Sequence, residues 1–286
     1  MPELPEVETV VRYLRVALKG LRIKSVDVYL PKALAFPDTA SFQAALSGKV
    51  FLELKRRGKY IIACLTDAMA LVVHLRMSGQ LVYEPEGEPL PKHTHILWHL
   101  SRGRLRFTDL RQFGRVWLVP ADRLELVPGL RDLGVEPLGK GFQVETLAGA
   151  LSGRRKSIKA VLLDQTLIAA LGNIYTDEAL YRAQIHPLRP AATLTARETD
   201  ALYQAIQEVL REGIAHRGTS IRDYVNGTGQ AGSYQNLLRV YGREGEACPR
   251  CGQPIARIKV AGRGAYFCPR CQPTTESPSL SLPPEG

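Results

Sequence analysis

Four cysteines near the end of the chain fall into two close pairs, Cys248-x2-Cys251 and Cys268-x2-Cys271, with sixteen residues between the pairs. This is the spacing of a four-thiolate zinc ribbon, in which each pair supplies two ligands from one tight turn. The intervening RIKVAGRGAYF reads as a hairpin that brings the two turns together. Four thiolates leave zinc no open position for water, so one structural Zn2+ is expected per chain. Two disulfides or four free thiols are the competing reading, and disulfides belong to an oxidising compartment. Cys64 stands alone in the apolar run IIACL and reads as a small buried hydrophobe.

A second chemistry sits at the other end. Removal of Met1 would turn Pro2 into a secondary amine, a nucleophile able to form an iminium ion with an aldehyde-level carbon. Glu3 beside it can act as acid or base. Many chains begin Met-Pro without using it, so the pair means little by itself. On the hairpin between the cysteine pairs, Lys259 and Arg263 are basic, and glycines flank the arginine. Arg263 can reach a phosphate from such a tip, or is simply a solvated turn residue. His93, His95 and His99 share the run KHTHILWH, but no carboxylate ligand pattern accompanies them, and they are not read as a metal site.

These residues need a scaffold. Val7, Val10, Val11, Leu14 and Leu18 recur at helical spacing over residues 5–20, with glutamates in the first turn and Gly20 as a stop. From Arg22 to about Leu118 the pattern changes to short β-rich runs (IKSVDVYL, VFLELKRRGKYIIACL, ALVVHLRMSGQLVYE, HTHILWHL, GRLRFTDL) separated by turn residues, as in an antiparallel sandwich or barrel. Beyond Pro137 the pattern is helical: TLAGAL, SIKAVLLDQTLIAAL, NIYTDEALYRAQ and ARETDALYQAIQEVLREGIAHR, the last opened by a Thr195/Glu198 capping box. Residues 218–236 are glycine-rich without sustained period and read as a long loop. The expected class is α+β.

Composition narrows the partners. Lys and Arg total 38 against 28 Asp and Glu, a net charge of +10 shared equally by the two halves. That excess points to a polyanion, with nucleic acid ahead of an anionic membrane surface. No apolar run approaches a membrane span and the start carries three glutamates rather than a signal peptide, so a cytoplasmic protein without a membrane partner is expected.

Taken together and in order, MPELPEVETV, KRRGKY, HLRMSG, DLRQFGR, LGNIYTDEAL and AGRGAYFCPRC resemble the formamidopyrimidine-DNA glycosylase family of base-excision repair enzymes, from Pro2 to about Gln272. Leu4 and Val7 are similar to this type rather than to the related endonuclease VIII, whose opening usually has Gly and Ile there. The resemblance implies a bacterial monomer acting on damaged double-stranded DNA, nucleoid-associated when bound. It implies an N-terminal catalytic β-sandwich domain with its leading helix over 1–135, a helical helix-two-turn-helix domain with a lesion-capping loop over 136–236 and a zinc finger over 237–272; residues 273–286, rich in proline and without Lys or Arg, read as a disordered tail.

The resemblance also implies roles. Pro2 attacks C1′ of the damaged nucleotide and forms a Schiff base, and Glu3 moves protons around the sugar. Glu6 either orients that site or is only a helix N-terminal charge. Lys59 contacts the damaged nucleotide and assists β-elimination, with a solvated basic face as the alternative. Arg263 grips phosphates beside the lesion and is linked to δ-elimination. Met77, Arg111 and Phe113 fill the gap left by the extruded base. Asn173 at a helix start, Arg154, Lys159, His74 and His93 contact DNA phosphates. Arg76 departs from the pattern, where glycine is usual. The implied activity is excision of 8-oxoguanine and formamidopyrimidines followed by strand cleavage through β,δ-elimination. An endonuclease VIII-like preference for oxidised pyrimidines, or a lesion-binding zinc protein without chemistry, are the rivals; intact Pro2 and Glu3 count against the second.

Overall fold

In the computed structural model, which describes residues 1–87, 89–220 and 224–274, helix α1 (Leu4–Leu18) begins immediately after the two residues proposed for chemistry. Pro5 lies in its first turn, where its missing N–H has no intrahelical partner to lose. Val7, Val10, Val11, Leu14 and Leu18 are completely buried. Each such side chain stabilises by about 1.5–3 kcal/mol when removed from water, so this stripe anchors the N-terminus firmly.

The core that receives α1 is built from β1 (Ile23–Val28), β2 (Leu34–Phe36), helix α2 (Thr39–Leu46), β3 (Phe51–Arg57), β4 (Tyr60–Leu65), β5 (Met69–His74), β6 (Gly79–Glu84), β7 (Thr94–Leu100), β8 (Arg104–Asp109) and β9 (Arg115–Pro120). One sheet has the order β1-β7-β8-β6 and the other β2-β9-β5-β4-β3. Pairing is antiparallel apart from β2 with β9. In β4 the two faces alternate: Ile61, Ala63 and Leu65 join the core under α1, while Tyr60 and Ile62 join a second apolar cluster with Val72, Trp117 and Val127. Burial on both faces explains why YIIACL reads as an unbroken apolar run.

The helical part contains α3 (Val144–Leu151), α4 (Ile158–Leu162), α5 (Asn173–Arg182) and α6 (Ala196–Ala215), followed by the hairpin β10 (Ala256–Val260) and β11 (Arg263–Phe267). The expected capping box opens α6, with Thr195 N donating to Glu198 Oε2 at 2.8 Å and Glu198 N to Thr195 Oγ1 at 3.2 Å. One helix is shorter than expected. SIKAVLLDQTLIAAL is helical only to Leu162; the Gln165 side chain then accepts from Ala170 N and donates to Leu171 O, and Ala170 takes a left-handed φ of 69°. Val135 pairs with Ile168, so the apolar residues 168–171 are buried in a loop instead of on a helix face.

Contacts group the chain into two compact units. The first comprises Met1–Gly139, Gln165–Gly172 and Leu210–Leu237; the second comprises Lys140–Asp164, Asn173–Val209 and Leu238–Gly286. This grouping is discontinuous, in contrast to the linear division expected at 135 and 236. Gln165–Gly172 falls with the sandwich because it carries the backbone that meets the N-terminus. Of the proposed lesion-capping loop, 221–223 lie outside the described residues, as do 275–286 of the proposed tail.

Candidate active site and nucleic-acid interface

In the first unit, two of the sequence-nominated residues, Glu3 and Lys59, meet one short stretch of backbone that also seats the start of α1. Leu4 N donates to Ala170 O at 3.2 Å, which seats the start of α1. Lys59 Nζ donates to Leu171 O at 2.7 Å. Glu3 packs on Gly172 so closely that a Cβ there would lie 2.3 Å from the Glu3 carboxyl carbon. Pro2, Glu3 and Lys59 are all buried. The Glu3 carboxyl group and the Lys59 amino group are thereby held by rigid elements beside a glycine that has no side chain to obstruct them.

Lys59 follows the tight turn at Gly58, which adopts a left-handed φ of 55°. Of its basic neighbours Lys55 is exposed, but Arg56 and Arg57 are tied inward. Arg56 Nη1 pairs with Glu136 Oε2 at 2.6 Å, Arg57 Nη1 with Glu136 Oε1 at 3.1 Å, and Arg56 Nε with Glu8 Oε2 at 2.9 Å. Glu136 also accepts from Gly58 N at 2.5 Å, so a single carboxylate shapes the turn that delivers Lys59. Glu6 has a similar linking role. Its Oε2 accepts from Glu3 N and its Oε1 from Thr219 N, both at 2.7 Å, so it joins the start of α1 to the first residues of the 218–236 loop. It is therefore more than a helix N-terminal charge.

His74 stands across from Tyr60 in the sheet, with the rings edge to face at 4.5 Å. Burial, reinforced by Arg76 and Lys59, pushes its pKa down to about 3. Its Nδ1 accepts from Arg76 N at 3.0 Å, which leaves the proton on Nε2. His74 is therefore a neutral donor and not a phosphate-neutralising cation.

The other DNA-facing candidates of this unit cluster around a residue that sequence reasoning passed over. Met77, Arg111 and Phe113 are exposed, and the Arg111 guanidinium lies 5.0 Å from the centre of the Phe113 ring. Beneath them, Asp109 is buried and accepts from Ser78 Oγ, Arg111 N and Gly114 N at 2.5, 3.2 and 2.7 Å. Asp109 N donates to His93 O, and His95 Nε2 donates to Asp109 O. His99 instead pairs with Asp27, so the three histidines do not converge on a metal. An aspartate followed within five residues by a turn and glycine was the available signal for this role.

In the second unit, the four Sγ atoms of Cys248, Cys251, Cys268 and Cys271 lie within 4.8 Å of one another, and none is in a disulfide. Cys248 to Cys271 is 3.9 Å and Cys251 to Cys268 is 3.5 Å. Tetrahedral Zn–S bonds of about 2.3 Å separate sulfurs by about 3.8 Å, so the set fits one zinc ion. Backbone N–H groups of Arg250 and Cys271 point at the sulfurs of Cys248 and Cys268. Among the described residues this is the metal-ligating cluster, and it holds the hairpin in place.

Ala261 and Gly262 both have positive φ, the signature of a two-residue hairpin turn, and they leave Arg263 exposed at the tip of β11. The next residues tie this hairpin to the helices. Gly264 O accepts from Asn173 Nδ2 at 2.9 Å and from Lys159 Nζ at 2.7 Å, while Tyr266 N donates to Asp177 Oδ2 at 3.0 Å. Lys159 and Asp177 pair at 2.6 Å with both side chains wholly buried. Burial pushes the Asp177 carboxyl up to about 7, with Lys159 and the Tyr266 amide pulling against it. This corrects the expectation for Lys159, which braces the finger from inside and presents no cation to a phosphate. Asn173 likewise spends its amide nitrogen on the finger. Arg154 is exposed after α3, where its Nε donates to Ala150 O at 2.8 Å.

A sandwich led by a buried Pro2–Glu3 pair, a helical unit and a four-thiolate finger together define the class of zinc-finger DNA glycosylases. Residues 1–116 match the formamidopyrimidine-DNA glycosylase N-terminal domain, 133–225 the H2TH domain of the same enzymes, and 245–274 the zinc finger found in FPG and IleRS. The formamidopyrimidine-DNA glycosylase of Pelotomaculum thermopropionicum is 53% identical over 95% of this chain and 99% of its own, and that of Desulforamulus reducens 52% identical over 95% and 99%. A Lactococcus lactis FPG mutant, in complex with a Fapy-dG containing DNA, superposes with a TM-score of 0.90 at 39% identity, covering 96% of this chain and all of that one. MutM in complex with a carbocyclic 8-oxo-G containing DNA gives 0.88 at 40% identity, over 96% and 100%. The chain belongs to the formamidopyrimidine-DNA glycosylase family.

Proposed function

We propose that the protein is a bifunctional DNA glycosylase and AP lyase that removes 8-oxoguanine and formamidopyrimidines from duplex DNA. The observation that carries this reading is that Glu3 and Lys59 meet residues 171–172 while Leu4, two residues after Pro2, is hydrogen-bonded to Ala170. With Met1 removed, the Pro2 nitrogen attacks C1′, the C1′–N bond to the base breaks, and the base leaves with a proton. Ring opening of the sugar, assisted by Glu3 as proton donor, produces an iminium ion between Pro2 and C1′. That cation draws electrons from C2′, whose proton is lost as the 3′ phosphate departs; a second elimination releases the 5′ phosphate. Lys59 supplies the positive charge that favours both departures.

Extrusion of the base is assigned to Met77, Arg111 and Phe113: the exposed ring wedges the step, Met77 adapts to the gap and Arg111 hydrogen-bonds the orphaned partner. Arg154, Arg263, His93 and the Nε2 of His74 hold phosphates. Zinc bound to the four thiolates would fix the finger that carries Arg263 and would take no part in the reaction. Among the described residues no helix is long and apolar enough to cross a membrane. The relatives named above are bacterial, which supports reading the protein as a monomer working in the cytoplasm on nucleoid DNA.

The test is borohydride trapping on a duplex with one 8-oxoguanine opposite cytosine, followed by mass spectrometry of the crosslinked peptide. An adduct on Pro2 is expected. Trapping on an abasic site but not on 8-oxoguanine, with faster removal of thymine glycol, would transfer the protein to the oxidised-pyrimidine reading.

A further inference from the structure

Met77 and the pair Arg111–Phe113 come from different loops, one between β5 and β6 and the other between β8 and β9. Side chains that must enter one gap in a base stack need a fixed spacing, yet all three are exposed, and the contact among them is that of Arg111 over Phe113. Exposed side chains do not hold one another in register; the link lies below.

Every polar atom of Asp109 is engaged. Its Oδ1 accepts from the Ser78 hydroxyl, one residue after Met77, and from the Arg111 amide. Its Oδ2 accepts from the amide of Gly114, one residue after Phe113. Ser78 Oγ also accepts from Arg111 N at 3.1 Å, closing a small ring between the two loops. The Asp109 amide and carbonyl meet His93 O and His95 Nε2, which adds the β7 end to the same knot. Gly114 is required there: a Cβ would lie 2.5 Å from the Phe107 ring and 3.1 Å from Asp109 Oδ2.

We propose that Asp109 is the positioning residue that makes Met77, Arg111 and Phe113 a single rigid wedge for duplex DNA. The proposal rests on the glycosylase reading above for the purpose of the wedge, though not for its existence. The carboxylate is suited because it only accepts. Asparagine has the same shape, but either orientation of its amide sets an NH2 group against a backbone N–H, at Gly114 or at Arg111. A buried donor left facing another donor weakens the site by about tenfold to a hundredfold in equilibrium terms.

The test compares Asp109→Asn and Ser78→Ala with the wild type in three assays. The first reads fluorescence of 2-aminopurine flanking a tetrahydrofuran abasic analogue in duplex DNA, which reports unstacking without chemistry. The second is single-turnover excision of 8-oxoguanine from duplex. The third is borohydride trapping on an abasic site in single-stranded DNA, where nothing has to be wedged apart. Asp109→Asn should lose the 2-aminopurine signal and at least tenfold in duplex excision, with trapping on the single strand within about threefold of wild type. Ser78→Ala should show the same pattern in milder form.

Wild-type unstacking and excision in Asp109→Asn would overturn the proposal. So would loss of single-strand trapping in parallel with excision, unless Ser78→Ala retains trapping while losing unstacking, which would support it. If the wild type unstacks DNA but neither excises nor traps, the glycosylase reading fails while the wedge assignment is still decided by the first assay.

Discussion

Lys159 Nζ lies 2.6 Å from Asp177 Oδ1, with neither side chain reaching solvent. Each then reaches a different point of the same hairpin, Lys159 to Gly264 O and Asp177 to Tyr266 N. The pair therefore sits between the helices and the strand that presents Arg263. Lys159→Ala should destabilise the second unit by about 3–5 kcal/mol, because it strands the Asp177 carboxyl in a dry site. Thermal unfolding and zinc release to a chromophoric chelator measure this. Lys159→Met combined with Asp177→Leu should recover part of the loss, since apolar side chains need no partners.

Salt dependence separates bracing from phosphate contact. Arg154→Ala should reduce the slope of log binding constant against log salt by about one, as expected for a surface cation on a phosphate. The Lys159→Met/Asp177→Leu variant should leave that slope unchanged. A drop of one in the double variant would return Lys159 to the DNA surface.

Gly172 is predicted to be intolerant of a single methyl group. Gly172→Ala places carbon 2.3 Å from the Glu3 carboxyl carbon and must displace the acid or the backbone that anchors Lys59. A shift of this size at a reacting centre costs about a hundredfold in rate. Single-turnover excision should fall accordingly while the dissociation constant for an abasic-analogue duplex changes less than threefold; equal losses in both would show that the glycine serves binding.

His74 predicts a pH effect on stability. Its folded pKa is pushed to about 3 from an ordinary value of 6.5, so between those values the unfolded chain binds a proton that the folded chain refuses. The contribution is present above pH 6.5 and is lost progressively as pH falls toward 3. At pH 5 the penalty is about 2 kcal/mol relative to neutral pH. Thermal melts of wild type and His74→Asn across pH 5 to 7 should converge at the acid end; parallel curves would exclude the assignment.

Removing zinc should release one equivalent of metal per chain and abolish binding to damaged duplex. Structural thiolate sites contribute about 10–16 kcal/mol of apparent binding free energy to their folds. Circular dichroism in the β region should persist, because the sandwich core contains none of the ligands. Full binding by the zinc-free protein would contradict the role given to the finger.

The local features were legible in the chain itself. Periodicity marked α1, alternation and turns marked most of the sandwich strands, and the capping box marked α6, because each is set by neighbours within a few residues. The cysteine spacing specified the metal for the same reason: two tight turns joined by a hairpin have little freedom in where their sulfurs can go. The family motifs then nominated Pro2, Glu3, Lys59 and the wedge.

Tertiary structure decided what those residues rest on. SIKAVLLDQTLIAAL carries an apolar pattern fit for a helix, yet residues 165–172 leave it because Gly134 and Val135 take up their hydrogen bonds and Gln165 caps the loop. Lys159 read as one more cation in a basic run, and only its burial against Asp177, distant in sequence, showed it to be internal. Asp109 drew no notice because its partners come from three separate turns. Sequence determined which side chains carry the chemistry and which short segments fold by themselves. The fold decided their spacing, since burial and hydrogen-bond satisfaction depend on contacts between residues that no local pattern brings together.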